Sequence, residues 1–426
     1  MGASTWTVFA DGSGDYPTLQ EAIEGAASGD SILVGRGEHR GPFWIESKNV
    51  ILRSLEGPED TILRGSPDLG EGWQPVVHFF YEAQSGSAIE GFTIEHGESG
   101  IRCTSASPVI RGNIIRDNSG PAGSGISCNF GSAPAIEQNL IWRNRAVFGC
   151  CSPSHGAGIY ADDTSPAVIR GNVVAYNQCA GQCAGGGLSV FGGTIEGNTI
   201  FGNWADGPAG GVELIGTGVR LAGNIIVGNR SKEYADGIMV LHPAEIRCND
   251  IWNNGDEDYW GAGPGEGDFS ADPRFCAVPS TSAEVLATLD AESFDLRSDS
   301  PCLPAHHPDG ADCGLVGARP EGCAREMKPS AFTAPAPRPR VQVFPNPSRG
   351  GVGIRLSDPR TASRVTRLEI IDASGRVLQR LGPNANGGFH WDGRSTTGEP
   401  VTAGIYFARV HSEESYPCLG TILVVR

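Results

Sequence analysis

Six segments between Ile110 and Asn254 repeat one pattern, apolar-x-x-Asn-x-apolar-x-x-Asn, and that repeat limits the folds open to this 426-residue chain. The first Asn of each unit falls at Asn113, Asn139, Asn172, Asn198, Asn224 and Asn249, giving steps of 26, 33, 26, 26 and 25 residues. A second Asn follows each, at Asn118, Asn144, Asn177, Asn203, Asn229 and Asn254. A fixed period of this size marks a solenoid. The units are too short for two helices, and β-branched Ile and Val dominate them, which points to strands. Asn tolerates the left-handed backbone region, so the pattern predicts Asn as the corner residue. Stacked one strand spacing apart, its amides would bond to one another.

A third strand precedes each unit. Its signature is Gly before an apolar residue: Gly100-Ile101, Gly125-Ile126, Gly158-Ile159, Gly187-Leu188, Gly211-Val212 and Gly237-Ile238. Three short strands per coil describe an all-β, parallel β-helix. Side chains alternate along each strand. An apolar core then takes Ile101, Ile126, Ile159, Leu188, Val212 and Ile238, with Cys103, Cys128, Ala161, Val190, Leu214 and Val240 two residues on. The outward row becomes Arg102, Ser127, Tyr160, Ser189, Glu213 and Met239. Over roughly the first three quarters of the chain this pattern resembles the pectate-lyase-like family of right-handed parallel β-helices. The resemblance implies that the outward row and its flanking loops form a sugar-binding groove.

Ahead of the repeats, Trp6-Thr-Val-Phe9 reads as a strand and Asp11-Gly-Ser-Gly-Asp15 as a turn. Thr18-Leu-Gln-Glu21 has the form of a capping box, and Leu19, Ala22, Ile23 and Ala26 follow at helical spacing. An amphipathic helix here would lid the open end of the solenoid. This opening is similar to that of pectin methylesterases. The Gln-Asp pair and second Asp of those enzymes are absent, so the similarity implies a shared cap and no esterase activity.

The formal charge is −17, with no basic stripe for nucleic acid and no apolar run long enough to span a bilayer. Twelve Cys with little metal-type spacing suit an oxidising compartment, so the protein is expected to be secreted or held at a cell surface. The Met1-Gly2-Ala3 start carries no signal peptide, so export is inferred rather than read from a targeting segment. Cys150 and Cys151 share a corner with Cys179 and Cys183, which predicts bridges between those two loops; zinc on Cys179-x-x-x-Cys183 is the alternative. Cys103 and Cys128 share a register on neighbouring coils and are candidates for a further bridge.

The regular coils end near Trp252. Ser270-Ala-Asp-Pro-Arg-Phe275, Asp299-Ser-Pro-Cys302 and Cys313-Gly-Leu-Val-Gly317 resemble the closing module found after many bacterial β-helix repeats, with Cys276, Cys302, Cys313 and Cys323 expected to staple it. The expected organisation is a solenoid over 1–324, a Pro-rich linker over 325–340 and an all-β sandwich over 341–426. In the last part Val343-Phe-Pro-Asn-Pro347, Leu368-Glu-Ile-Ile-Asp372, Gly375-Arg-Val-Leu378, His390-Trp-Asp-Gly393 and Ala403-Gly-Ile-Tyr-Phe407 mark short strands. Together these motifs resemble the Ig-like domain of flagellar hook-capping type and the C-terminal sorting domains of bacterial type IX secretion. The resemblance implies export or surface attachment and carries no catalytic residues.

The candidate site lies on the outward row and its loops. The loop from Asn144 to Gly158 accounts for the 33-residue step and carries His155, followed by Tyr160, Asp162 and Asp163. Other coils add Arg102, Trp204, Asp206, Glu213, Tyr234 and Asp236. Aromatic rings stack on sugar faces, and carboxylates bond hydroxyls or hold Ca²⁺, the cofactor this set would take. A lyase needs a base and a charge stabiliser, and Arg102 would serve as base only with a strongly lowered pKa. A hydrolase needs two facing carboxylates, for which Asp162 or Asp163 with Glu213 is the pair to test. The polygalacturonase set of Asn-Thr-Asp, Asp-Asp, Gly-His-Gly and Arg-Ile-Lys is not reproduced; Asp162-Asp163 echoes one part of it. Each residue also has a structural reading: Asp163-Thr-Ser-Pro166 is turn chemistry, His155 sits in a Gly/Ser loop, and Arg102 and Glu213 can simply solvate a sheet face. Two functions remain: recognition, with or without cleavage, of extracellular polysaccharide, and a non-catalytic surface or adhesion spacer.

Overall fold

The computed structural model describes residues 2–65, 74–81, 86–147, 154–181, 183–277, 289–308, 310–323, 341–344, 351–356, 365–372, 376–384, 388–396, 398–412 and 419–424. The chain divides into two compact units, Met1–Phe332 and Thr333–Arg426. The expected linker and the Cys150–Cys151 pair lie outside the described residues.

In the first unit the chain winds through three long parallel sheets of ten, nine and nine strands, with a short fourth sheet of five. One coil runs Ile101–Thr104, Val109–Arg111, Ile114–Arg116 and Ser119–Gly120 before Ile126–Asn129 starts the next. Equivalent residues pair in register from coil to coil, as Ile101 with Ile126 and Ile110 with Ile136. The inward columns are as expected: Ile101, Ile126, Ile159, Leu188, Val212 and Ile238 are all fully buried. The helix Leu19–Gly25 also forms, with Thr18 accepting from the Glu21 amide and Leu19, Ala22 and Ile23 buried. No helix among the described residues is long and apolar enough to cross a membrane.

The Asn residues stack as two continuous ladders. Asn172 is representative: its Nδ2 donates to Asn198 Oδ1 at 3.0 Å and to Ile136 O at 2.8 Å, while its Oδ1 accepts from the amide and Nδ2 of Asn139, both at 2.9 Å. The backbone at these corners corrects one expectation. The left-handed residue is the one before each Asn: Gly112, Gln138, Gly171, Gly197, Gly223 and Cys248 in the first ladder, and Asp117, Arg143, Tyr176, Gly202, Gly228 and Asn253 in the second. The Asn itself turns inward, because its work is to satisfy corner amides and carbonyls that water cannot reach. The Gly-apolar signature has its own cause. A Cβ at Gly158 would lie 2.6 Å from Gly187 O and 2.7 Å from Val174 Cγ1, with Asn177 Nδ2 at 3.2 Å, so the next coil and the core leave no room for a side chain there.

The three long faces differ outside. The face through Arg53, Glu90 and Arg111, continued by Arg170, Glu196, Arg220, Glu245 and Arg247, alternates in charge and is laced with ion pairs. The face through Leu140, Trp142, Val173, Ala175, Phe201, Ile225 and Val227 is apolar and covered. Phe269, Phe275, Phe294, Leu296, Leu303 and Val316 pack onto it as a second core. The segment after Trp252 therefore folds back along the solenoid's flank, and Gly317 and Ala318 bond to Gly223 O and Thr199 Oγ1.

Three cysteine expectations need correction. Cys179 bonds to Cys183 within one loop. Cys103 and Cys128 do pair in register and their thiols interact, but both stay free and buried. Cys302 is likewise free and buried; the tail is held by Cys248–Cys313 and Cys276–Cys323, so Cys248 takes the place expected of Cys302.

Cys302 instead donates its thiol to Asp250 Oδ2 at 3.3 Å, and the Ala271 amide bonds Oδ1 of the same carboxyl. Asp250 continues the apolar outward column of the covered face, beside Ile225. Burial there pushes its carboxyl from the usual 3.8 up to about 7. The folded state thus holds this proton more tightly than the unfolded chain. Its stability falls as pH rises from about 4 to about 7 and levels off above. Asp250→Asn removes that loss. The variant is expected to match the parent near pH 4 and to exceed it by a few kcal/mol at pH 8, read by denaturant midpoints across pH. A difference that does not grow with pH would refute the assignment.

In the second unit, strands Val341–Phe344, Val352–Leu356 and Phe389–Trp391 form one antiparallel sheet, and Val377–Leu381, Val365–Asp372, Gly404–Ser412 and Leu419–Val424 form another. Both contribute to one buried cluster that includes Val352, Ile354, Leu368, Ile370, Phe389, Trp391 and Tyr406.

Candidate functional site

The remaining long face is the open one. Its outward row runs in register through Trp44, His78, Arg102, Ser127, Tyr160, Ser189, Glu213, Met239 and Trp260. Only part of it meets solvent. Ser127, Ser189, Glu213 and Met239 are buried, at 4%, 0%, 4% and 3% exposure, while Trp44, His78, Arg102 and Tyr160 are half-buried. Met239 packs against Ala209 and Ala235, from the loops that lead into its own and the neighbouring strand. The half-buried side chains of the row therefore lie between Trp44 and Tyr160, with buried Ser127 among them, while Trp260 is exposed at the far end.

At one end, aromatic rings crowd together. The Trp44 and His78 rings are 5.2 Å apart, His78 and Phe80 4.8 Å, and Phe80 and Tyr81 5.3 Å; Tyr81 is 58% exposed. His78 Nε2 contacts Thr104 Oγ1 at 2.9 Å. Burial, aided by the Arg102 charge, lowers the imidazole pKa to about 4, so it is neutral at ordinary pH. Arg102 forms an ion pair with Glu98, a buried carboxyl whose pKa is raised by that burial.

The other end centres on Glu213. Its Oε2 accepts from Ser189 Oγ at 2.6 Å and lies 3.2 Å from His155 Nδ1. His155 also stacks on Tyr160, with centroids 5.9 Å apart and planes 23° from parallel. The strand Ser154–His155 pairs with Cys183–Ala184, and this two-stranded sheet sets the imidazole over the face. Burial first, then the charges of Asp162, Asp163 and Glu213, push the Tyr160 phenol up. Five expected site residues, His155, Tyr160, Asp162, Asp163 and Glu213, thus come together.

Their roles differ. The Asp162 carboxylate accepts from Phe130 N and from Thr164 N and Oγ1, at 2.7, 3.0 and 2.8 Å; against burial, the Ser165 hydroxyl and then these bonds hold its pKa low. It fastens the 162–165 turn. Asp163 is exposed. The other expected residues lie apart from this cluster. Asp206 accepts from Trp204 Nε1 and pairs with Lys232, both at 2.8 Å, on the short fourth sheet. The Asp236 carboxylate receives the amides of Ser231, Asp256 and Glu257. Tyr234 meets Trp260 in a tilted ring contact with centroids 5.0 Å apart. Among the described residues no three His, Cys, Asp or Glu side chains converge as a metal-binding group.

Residues 79–230 match the family described as right-handed β-helix region. That match covers the accessible face from Phe80 onward and the His155–Glu213 cluster. Among solved structures the chain is similar to pectin methylesterase from carrot, at 12% identity and a TM-score of 0.36, over 63% of this chain and 88% of that one. No curated protein sequence matches.

Trp44, His78, Phe80 and Tyr81 were not legible as site residues. The coils that carry them lack the Asn pattern, and Pro42 and Val76 stand where later coils have Gly, so the register could not be extended back to them.

Proposed function

We propose that the protein is an extracellular or surface-held polysaccharide-binding protein, and that the open face from Trp44 to Tyr160 is its binding surface. The observation that carries this reading is the contrast among the three long faces. One is closed by ion pairs and one by the returning segment. The third presents half-buried aromatic rings in register. Rings at the two ends of a row laid out at strand spacing suit a polymer lying along the solenoid axis, one sugar per coil. The disulfides support an oxidising location, and the second unit, through its resemblance to sorting-type Ig-like domains, supplies the attachment.

Binding is favoured over hydrolysis. Paired-carboxylate hydrolysis needs an acid with a raised pKa facing a second carboxylate. Asp162 is instead lowered and engaged in its turn, and Glu213 is buried under His155. Any proton transfer at this face would fall to His155, oriented by Glu213.

The test is calorimetric titration of the full chain against a polysaccharide panel, with and without Ca²⁺, alongside assay for released products. Binding is expected for at least one polymer. His155→Ala and Tyr160→Ala should each weaken it about tenfold or more, as truncation of a central anchor does. Absence of both binding and product across the panel would leave the surface-spacer reading in its place.

A further inference from the structure

We infer that the open face selects an uncharged glycan of about four or five sugar units, clamped by an aromatic platform at each end, and rejects polyuronates. This rests on the binding reading above.

Length comes from the register. Trp44, His78, Arg102, Ser127 and Tyr160 are successive partners, so the two platforms stand four strand spacings, roughly 19 Å, apart. The first platform is Trp44 with His78, and the second is Tyr160 with His155. A short sugar reaches one platform; a longer one reaches both, and the second contact then forms at high effective concentration.

Charge decides the class. A polyuronate carries one carboxylate per sugar and needs cations along its path. Arg102, the guanidinium on this row, is matched to Glu98. Neither imidazole offers an unmatched cation: His78 is neutral at ordinary pH, and His155 stands against the Glu213 carboxylate. Glu46, exposed on the Trp44 strand, and Asp163, exposed beside Tyr160, add negative charge at the two ends. The chain as a whole carries −17. A polyanion would meet repulsion at each end and a neutralised cation in the middle. A neutral chain meets ring faces and hydroxyl partners instead, including Thr104 beside His78.

The experiment measures affinity of the full chain for linear gluco-, xylo- and manno-oligosaccharides from dimer to octamer. Oligogalacturonates and oligoalginates of matched length are run at low and high salt. A neutral series should tighten up to the tetramer or pentamer and then level off. Trp44→Ala should abolish the gain with length and Trp44→Tyr restore it, with the thermal midpoint of each variant confirming the fold. Oligouronates should bind at least tenfold more weakly than the best neutral series at every salt concentration. Tighter binding of an oligouronate, lost in Arg102→Ala, would overturn the inference while keeping the binding surface. A neutral series without length dependence would overturn the two-platform clamp. Failure of every probe would sink the underlying reading as well.

Discussion

Replacing Asn172 with Ala is expected to destabilise the solenoid by roughly 3–6 kcal/mol, far more than loss of a small surface side chain. Asn172 is fully buried in the middle of the first ladder. Its loss removes the acceptor for the Asn139 amide and Nδ2, and the donor for Ile136 O. Each orphaned buried group costs about 1–3 kcal/mol, and no water can enter unless the corner opens. Gln138 is the control. It holds the left-handed turn of the same corner, at φ 55°, and Gln138→Gly should be neutral or stabilising by up to about 1 kcal/mol. Denaturant titration of both variants checks the pair. Equal, small effects at the two positions would mean that the ladder contributes little beyond the apolar columns.

Removing the Cys248–Cys313 bridge should have the second largest effect. The crosslink closes 65 residues of chain, for which the loop-entropy account gives a ceiling of roughly 4 kcal/mol. It also pins the segment that covers Trp142, Phe201 and Val227. A Cys248→Ser, Cys313→Ser variant is expected to lose a few kcal/mol and to bind a hydrophobic dye before the main unfolding transition, as the returning segment lifts from the face. Circular dichroism of the β-structure should change little at that stage. A single transition with no early dye signal would show that the segment and the coils unfold as one unit.

Much of the solenoid was legible because its sequence signals are local and repeated. The Asn spacing gave the coils, the Gly-apolar pairs gave a third strand, and alternation from Ile101 to Cys103 gave the inward columns. Thr18 and Glu21 gave the helix start. What escaped depends on distant partners. The pairing of Cys248 with Cys313 spans 65 residues and leaves no pattern in either neighbourhood. The covered face did leave a trace: Leu140 and Trp142, or Ile225 and Val227, flank an inward residue and are themselves apolar, so that strand is hydrophobic on both sides. At the candidate site, the meeting of His155 with Glu213 brings together residues 58 positions apart, outside the pattern of the repeat. Asp162 looked like a functional carboxylate because turn-fastening and chemistry use the same side chain; its three hydrogen bonds to the turn and to Phe130 are visible only in three dimensions.

Both amide ladders end in a carboxylate. Asn249 donates to Asp268 Oδ1 and Asn254 to Asp258 Oδ1, where a further coil would have placed another Asn. An amide passes the pattern on, because it accepts on one side and donates on the other. An ionised carboxylate only accepts. A solenoid with a repeating end is a template on which a second molecule can dock and continue the winding into a fibre. Here each relay stops at a residue that only accepts, so the side-chain ladder holds out no donor on which a newcomer could continue it.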